Sequence, residues 1–157
     1  LKNCFELSKI QENNTIIAPS AYDEDEFNKK EHIKNENEVI FVGRFTRFNK
    51  DRNLDFLIEA FSKKELQTYK LKLIGGPKKI AEQLRSTIEE KNVNNITVLD
   101  YMPQAQLIQT LSKSEIGILI NSSGDRHSRM HTAHAKYIEE IRTGHKVWGS
   151  DLESERD

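Results

Sequence analysis

The chain has 157 residues, enough for one well-buried domain and too few for two ordinary ones. Its 24 Lys plus Arg stand against 25 Asp plus Glu, so there is no basic field on the scale of a polyanion, which argues against nucleic acid as the main partner. The single cysteine, Cys4, cannot form an internal disulfide, and a reducing, cytoplasmic setting is the expectation. No apolar run is long enough to span a membrane and no charged-then-apolar leader opens the chain, so the protein reads as soluble or membrane-peripheral.

In chain order, residues 1–37 have the texture of an incoming connector: a helical segment over 5–10, a short strand over 15–18, then a charged stretch over 23–37. From residue 38 to 157 short apolar runs alternate with amphipathic stretches, the pattern of βαβ units and an open parallel sheet covered by helices on both faces. Val39-Ile40-Phe41-Val42-Gly43 is the first buried strand. A polar loop follows, then a helix marked by Leu54, Leu57, Ile58 and Phe61. Leu71-Lys72-Leu73-Ile74 forms the second strand and runs into Gly75-Gly76. Ile80, Leu84 and Ile88 mark the next helix, Ile96-Thr97-Val98-Leu99 the third strand, and Leu107, Ile108 and Leu111 a third helix. Ile116-Gly117-Ile118-Leu119-Ile120 is the fourth strand. A polar loop over 121–130 leads to a last helix over 133–142, capped by Gly144, and Lys146-Val147-Trp148 begins a fifth strand. Phe41, Phe56, Phe61 and Tyr137 fall at core spacing and read as packing residues. The Asn-x-Ser/Thr triplets at Asn13, Asn95 and Asn121 are expected by chance in so Asn-rich a chain.

The densest chemistry lies in 132–149. Lys136 and Glu139 are three apart and share a helical face, on a turn that also offers backbone N–H groups to an anion. A cation with amides suits phosphates, and a carboxylate suits ribose hydroxyls. The plain alternative is an i,i+3 surface ion pair worth under about 1 kcal/mol. His127, His131 and His134 would share a face if that segment were helical, yet no cysteine or close carboxylate completes a four-ligand set, and no metal is expected.

Seven motifs in order resemble the C-terminal, donor-binding domain of GT-B fold glycosyltransferases, in particular the retaining family 4 type. They are Ile17-Ala18-Pro19-Ser20-Ala21-Tyr22-Asp23 followed by Phe27; Val42-Gly43-Arg44-Phe45; the helix opening at Asn53-Leu54; Leu73-Ile74-Gly75-Gly76; Val98-Leu99-Asp100-Tyr101-Met102-Pro103; Ile118-Leu119-Ile120-Asn121-Ser122; and Thr132-Ala133-His134-Ala135-Lys136 with Glu139 and Gly144. The resemblance implies that Arg44, a second cation at Lys50 or Arg52, and Lys136 hold the diphosphate of the donor. Spacing favours Arg52, which directly precedes the Asn53 helix. It further implies that Glu139 takes the ribose hydroxyls, that main-chain groups around Tyr101 and Met102 face the base, that Gly75-Gly76 admit the ligand without a Cβ in the way, and that Gly43, Thr132 and Ala133 line the same site. His131 stands where the family's first motif glutamate would be, and is either a donor-sugar contact or a plain loop histidine.

The activity so implied is retaining transfer of a hexose from a nucleoside diphosphate sugar to a glycan or lipid-linked acceptor, with no cofactor and no metal. The acceptor-binding N-terminal half is not in this sequence and the closing elements of the domain are missing, so this piece alone is expected to be inactive, with peripheral membrane association an option for the full protein. The alternative is a catalytically degenerate nucleotide-sugar binding module. A dinucleotide enzyme is disfavoured because no Gly-x-Gly-x-x-Gly follows any strand.

Overall fold

The structure is a computed structural model, and it describes residues 34–47, 50–52, 54–120 and 144–149. The elements are β1 (Asn35–Arg44), β2 (Thr46–Arg47), β3 (Lys50–Asp51), α1 (Leu54–Phe61), β4 (Lys70–Gly76), α2 (Lys78–Glu90), β5 (Ile96–Leu99), α3 (Gln104–Leu111), β6 (Ser114–Leu119) and β7 (Lys146–Gly149). β1, β4, β5, β6 and β7 form one five-stranded sheet in the order β5-β4-β1-β6-β7, and every pairing in it is parallel. This is the Rossmann-like architecture that the alternating pattern predicts.

Strand β1 reads as a continuous apolar run because both of its faces are buried. Val39 and Phe41 point into a cluster with Leu71, Leu73, Val98, Ile116 and Ile118, closed over by Leu57, Ile58 and Phe61 of α1 and Leu84 and Ile88 of α2. Ile40 points the other way, to Ile74 and to Leu111 of α3, with Val42, Met102 and Leu107 against it. Helices α1 and α2 therefore cover one face while α3 covers the other. The chain steps outward from β1 to β4 and β5, then crosses back through α3 to reach β6 on the far side of β1. That reversal is a topological switch point, and open α/β sheets take ligands at the strand C-terminal ends beside it.

At the opposite edge, Glu38 joins three strands. Its Oε1 accepts from Lys72 Nζ of β4 at 2.6 Å and from Ser114 Oγ of β6 at 2.8 Å, so a charge that is almost fully buried is paired and hydrogen-bonded. Asn95, just before β5, donates its Nδ2 to the carbonyls of Phe61, Leu66 and Tyr69, each at 3.1 Å, and so closes the irregular segment between α1 and β4. Two hydrogens serve three acceptors, so one is shared. The Asn95 triplet thus has a structural role, since a substituted amide could not keep these bonds. After α2, Asn92 takes a left-handed φ of 51°, and Asn92 and Val93 return their N–H groups to Glu89 and Ile88, ending the helix.

Several expectations change. Phe56 is 67% exposed rather than packed, because Leu54, Leu57, Ile58 and Phe61 already fill the inner stripe of α1. Strand β1 starts at Asn35, inside the stretch read as connector, where Asn35 N–H bonds the Lys113 carbonyl. The polar loop after β1 contains a two-stranded antiparallel ribbon, β2–β3, with Thr46 opposite Asp51 and Arg47 opposite Lys50. The segments at 5–10 and 15–18, the loop over 121–130 and the helix over 133–142 lie outside the described residues. Gly144 has a φ of 71°, a left-handed backbone conformation that favours glycine, and the helix it was expected to cap lies outside the described residues.

Edge strand β7 is held by a side-chain pair as well as by its ladder. Lys146 bonds the carboxylate of Glu115, and this hydrogen bond, followed by the charge of Glu115, raises the Lys146 pKa above its ordinary 10.5. A raised folded-state value means that the contribution is complete below the ordinary value and is lost as pH rises through the raised one. The thermal-midpoint difference between the parent and Lys146→Met should therefore stay constant from about pH 7 to 9 and shrink towards zero in strong alkali. For Asn95, denaturant unfolding should show a loss of about 1–3 kcal/mol in Asn95→Ala, and a larger loss in Asn95→Asp, which turns an anion on three carbonyls.

Candidate functional site

The candidate site is the C-terminal edge of β1, β4 and β5. Register sets Gly43 opposite Gly75 and Arg44 opposite Gly76, and the Phe45 N–H bonds the Gly76 carbonyl at 2.7 Å, so the ends of β1 and β4 stay locked together past the last ladder pair. Arg44 is exposed at this end of the central strand. Phe45 turns inward instead, almost fully buried, and stacks on Phe41 with ring centroids 6.4 Å apart. A buried aromatic directly after Arg44 fixes the backbone from which the guanidinium projects.

The β2–β3 ribbon folds the chain back. The Arg52 N–H bonds the Phe45 carbonyl at 3.2 Å, which brings the backbone of Arg52 beside that of the Arg44-Phe45 pair. Lys50 sits further out along the ribbon, opposite Arg47. Of the two alternatives for a second cation, Arg52 is the one whose backbone is hydrogen-bonded next to Arg44, and its side chain is half-buried.

The glycines are explained by the chain itself. A Cβ at Gly75 would lie inside the Gly43 carbonyl group, 2.9 Å from its carbon, and 3.2 Å from a ring carbon of Phe45. A Cβ at Gly76 would lie 2.7 Å from Cε2 of Tyr101. Gly75 is thus needed for two strand ends to approach, and Gly76 leaves room for a tyrosine ring. Directly after Pro77, the thirteen-residue helix α2 begins with no side-chain cap, so its N-terminal dipole lies at the same edge, behind Gly76.

The loop after β5 is anchored on both sides of Tyr101. Arg85 of α2 donates Nε and Nη2 to the Val98 carbonyl, both at 3.2 Å, and Nη2 to Asp100 Oδ1 at 3.0 Å. With both side chains partly exposed, the ion pair adds under about 1 kcal/mol, and its effect is positional. Met102 packs inward on the Ile40-Ile74-Leu111 cluster and accepts at Sδ from Thr110 Oγ1 at 3.8 Å. Tyr101 between them is 62% exposed. The sequence reading quoted Phe45 and Asp100 only as members of motifs and gave them no role, and it did not mention Arg85. The only signal for Arg85 was its place one residue after Leu84 on the inner stripe of α2.

The remaining predicted residues, His131, Thr132, Ala133, Lys136 and Glu139, lie outside the described residues, as do His127 and His134. Among the described residues no group of three or more His, Cys, Asp or Glu side chains is placed to hold a metal ion. His145, in the lead-in to β7, is buried with Nε2 at 2.7 Å from the Leu111 carbonyl, where it caps the end of α3.

Because the Gly75 position is closed by backbone and the Gly76 position by an exposed ring that can swing away, Gly75→Ala should lower unfolding free energy by about 2 kcal/mol or more and Gly76→Ala by less than about 1 kcal/mol. Parallel denaturant titrations of the two variants check this difference.

Comparison with known proteins places this geometry in a family. The description "Glycosyl transferases group 1" matches residues 23–123, from the connector through β6, and stops short of Lys136 and Glu139. No curated protein sequence matches the chain. Among solved structures, WaaG, a glycosyltransferase involved in lipopolysaccharide biosynthesis, matches at 16% identity and a TM-score of 0.53, over 74% of this chain and 29% of WaaG. The C-terminal domain of LpcC, a glycosyl transferase group 1 family protein from Francisella tularensis, matches at 13% identity and a TM-score of 0.56, over 88% of this chain and 70% of that one. The chain thus spans under a third of WaaG, and at these identities the likeness is one of fold. With the family match covering more than half of its residues, the chain belongs to the glycosyl transferases group 1 family.

Proposed function

We propose that this chain is the donor-binding domain of a retaining, family 4 type glycosyltransferase that moves a hexose from a nucleoside diphosphate sugar to a glycan or lipid-linked acceptor. The observation that carries the reading is Arg44. It is an exposed cation at the C-terminal end of the central strand, beside the switch point and the N-terminus of α2, in a chain of the group 1 family. Two positive sources converge there, the guanidinium and the helix dipole, as a diphosphate requires.

In this reading Arg44, Arg52 and Lys136 take the diphosphate, with Glu139 on the ribose. As the bond from the anomeric carbon to the diphosphate oxygen breaks, negative charge builds on the leaving group, and the cations stabilise it. The acceptor hydroxyl attacks from the face that the diphosphate leaves. Its proton passes to the departing phosphate oxygen, so the step needs no nucleophile from this domain and no metal. The acceptor is held by an N-terminal half, and transfer requires both halves to close and exclude water. The enzyme works in the cytoplasm, dissolved or at the membrane surface; no helix among the described residues is long and apolar enough to cross a membrane.

Titration of UDP, GDP and ADP by calorimetry tests the reading. One of them should bind, and Arg44→Ala and Lys136→Ala should each weaken it by about 1.5–3 kcal/mol, as for a lost charge-assisted hydrogen bond. Glu139→Gln should cost less, since an amide still accepts from ribose hydroxyls. Unchanged affinity in Arg44→Ala, or no binding of any of the three nucleotides, would reject the donor site.

A further inference from the structure

At the edge of the sheet opposite to Arg44, the starts of β4 and β5 open into a cleft of about 670 Å³, a volume in the range of small-molecule sites. Its walls are the segment after α1 and the turn after α2. Asn95 ties the two together: its side chain bonds the Phe61, Leu66 and Tyr69 carbonyls, and its own carbonyl accepts from the Leu71 N–H at 2.8 Å. A strand rises about 3.3 Å per residue, which puts Lys70 in the cleft about 20 Å from Gly76 at the far end of β4. The charged residues lining the cleft are Lys70, Lys72 and Lys91, and no carboxylate stands among the described residues that line it.

We infer that this cleft is a second binding site, for a saccharide that carries one acid group. The charge of Lys72 is balanced by Glu38, 2.6 Å away, so the excess positive charge comes from Lys70 and Lys91, both exposed. Helices α1 and α2 end at this cleft, and the carbonyl end of a helix carries about half a negative charge. Two cations against two such ends leave a balance of about one positive charge, which suits a single carboxylate or phosphate rather than a diphosphate. Lys91 alone is explained as the cation that offsets the end of α2; Lys70, on a strand, is not. Gln67, Asn94 and Thr97 complete the lining with groups that both donate and accept, as the hydroxyls of a sugar ring do. Because Asn95 holds both walls in place, little order has to be imposed when the ligand enters.

The inference does not rest on the donor site, and its test keeps the two apart. The 157-residue chain is titrated by NMR chemical shift with glucuronate, glucose 6-phosphate, glucose and inorganic phosphate. At least one of the two acidic sugars should bind with a Kd of about 1 mM or tighter, and the better of them identifies the acid group. Glucose, which lacks the charge, and inorganic phosphate, which lacks the ring, should each bind at least about fivefold more weakly. Lys70→Gln combined with Lys91→Gln should weaken the acidic sugar by about 5- to 30-fold, as for two exposed charge pairs, and leave the thermal midpoint unchanged. Arg44→Ala should leave this binding within about twofold. Equal binding of glucose would remove the role of the lysines, and equal binding of inorganic phosphate would remove the saccharide; either overturns the inference. So does an acidic sugar that is unaffected by the double variant or lost in Arg44→Ala, which would place it at the donor edge. No binding of either acidic sugar at about 10 mM would reject the site outright, while leaving the donor reading as it stands.

Discussion

The burial of β1 on both faces is the constraint on which the rest of the structure depends. A strand flanked by β4 and β6, with α1 and α2 over one face and α3 over the other, has no solvent side to accommodate a polar residue along its middle. Its polar groups are forced to the two ends. Glu38 at one end is tolerated because Lys72 and Ser114 reach its carboxylate from the neighbouring strands, and Arg44 at the other emerges into solvent. The same burial that stabilises the fold therefore delivers a cation to the C-terminal edge of the sheet.

How that cation is aimed is a matter of close approach. The Gly43 carbonyl fits against Gly75 only because no Cβ intervenes, and the bond from Phe45 to Gly76 extends the contact beyond the ladder. With Phe45 sunk into the core, Arg44 cannot rotate inward without expelling an aromatic ring from water-free packing, which costs several kcal/mol. Stability and site geometry are thus coupled through three consecutive residues.

The surroundings of this edge divide into parts that pack and parts that present. Met102, Phe45 and the Arg85 contacts belong to the first group, while Arg44 and Tyr101 belong to the second.

The parallel sheet was legible from the sequence because short apolar runs, unbroken in Val39-Ile40-Phe41-Val42, alternate with amphipathic stretches, and the helices because Leu57, Phe61, Leu84 and Ile88 repeat at helical spacing. Arg44 was picked out through the resemblance of Val42-Gly43-Arg44-Phe45 to the Gly-Arg turn of the GT-B donor domain. Phe56 was misread because periodicity marks a helical stripe but not its width, and the inner face of α1 was already full. Nothing local foretold that Asn95 would bracket three carbonyls far away in the chain, that Gly75 answers to Gly43, or that Arg85 would hold the loop on which Tyr101 stands. These depend on which strands become neighbours. Local sequence determined the elements and the residue types at their ends, because backbone propensity and apolar periodicity act over a few residues. Only the tertiary structure decided the partners, because strand order joins residues that the chain keeps apart.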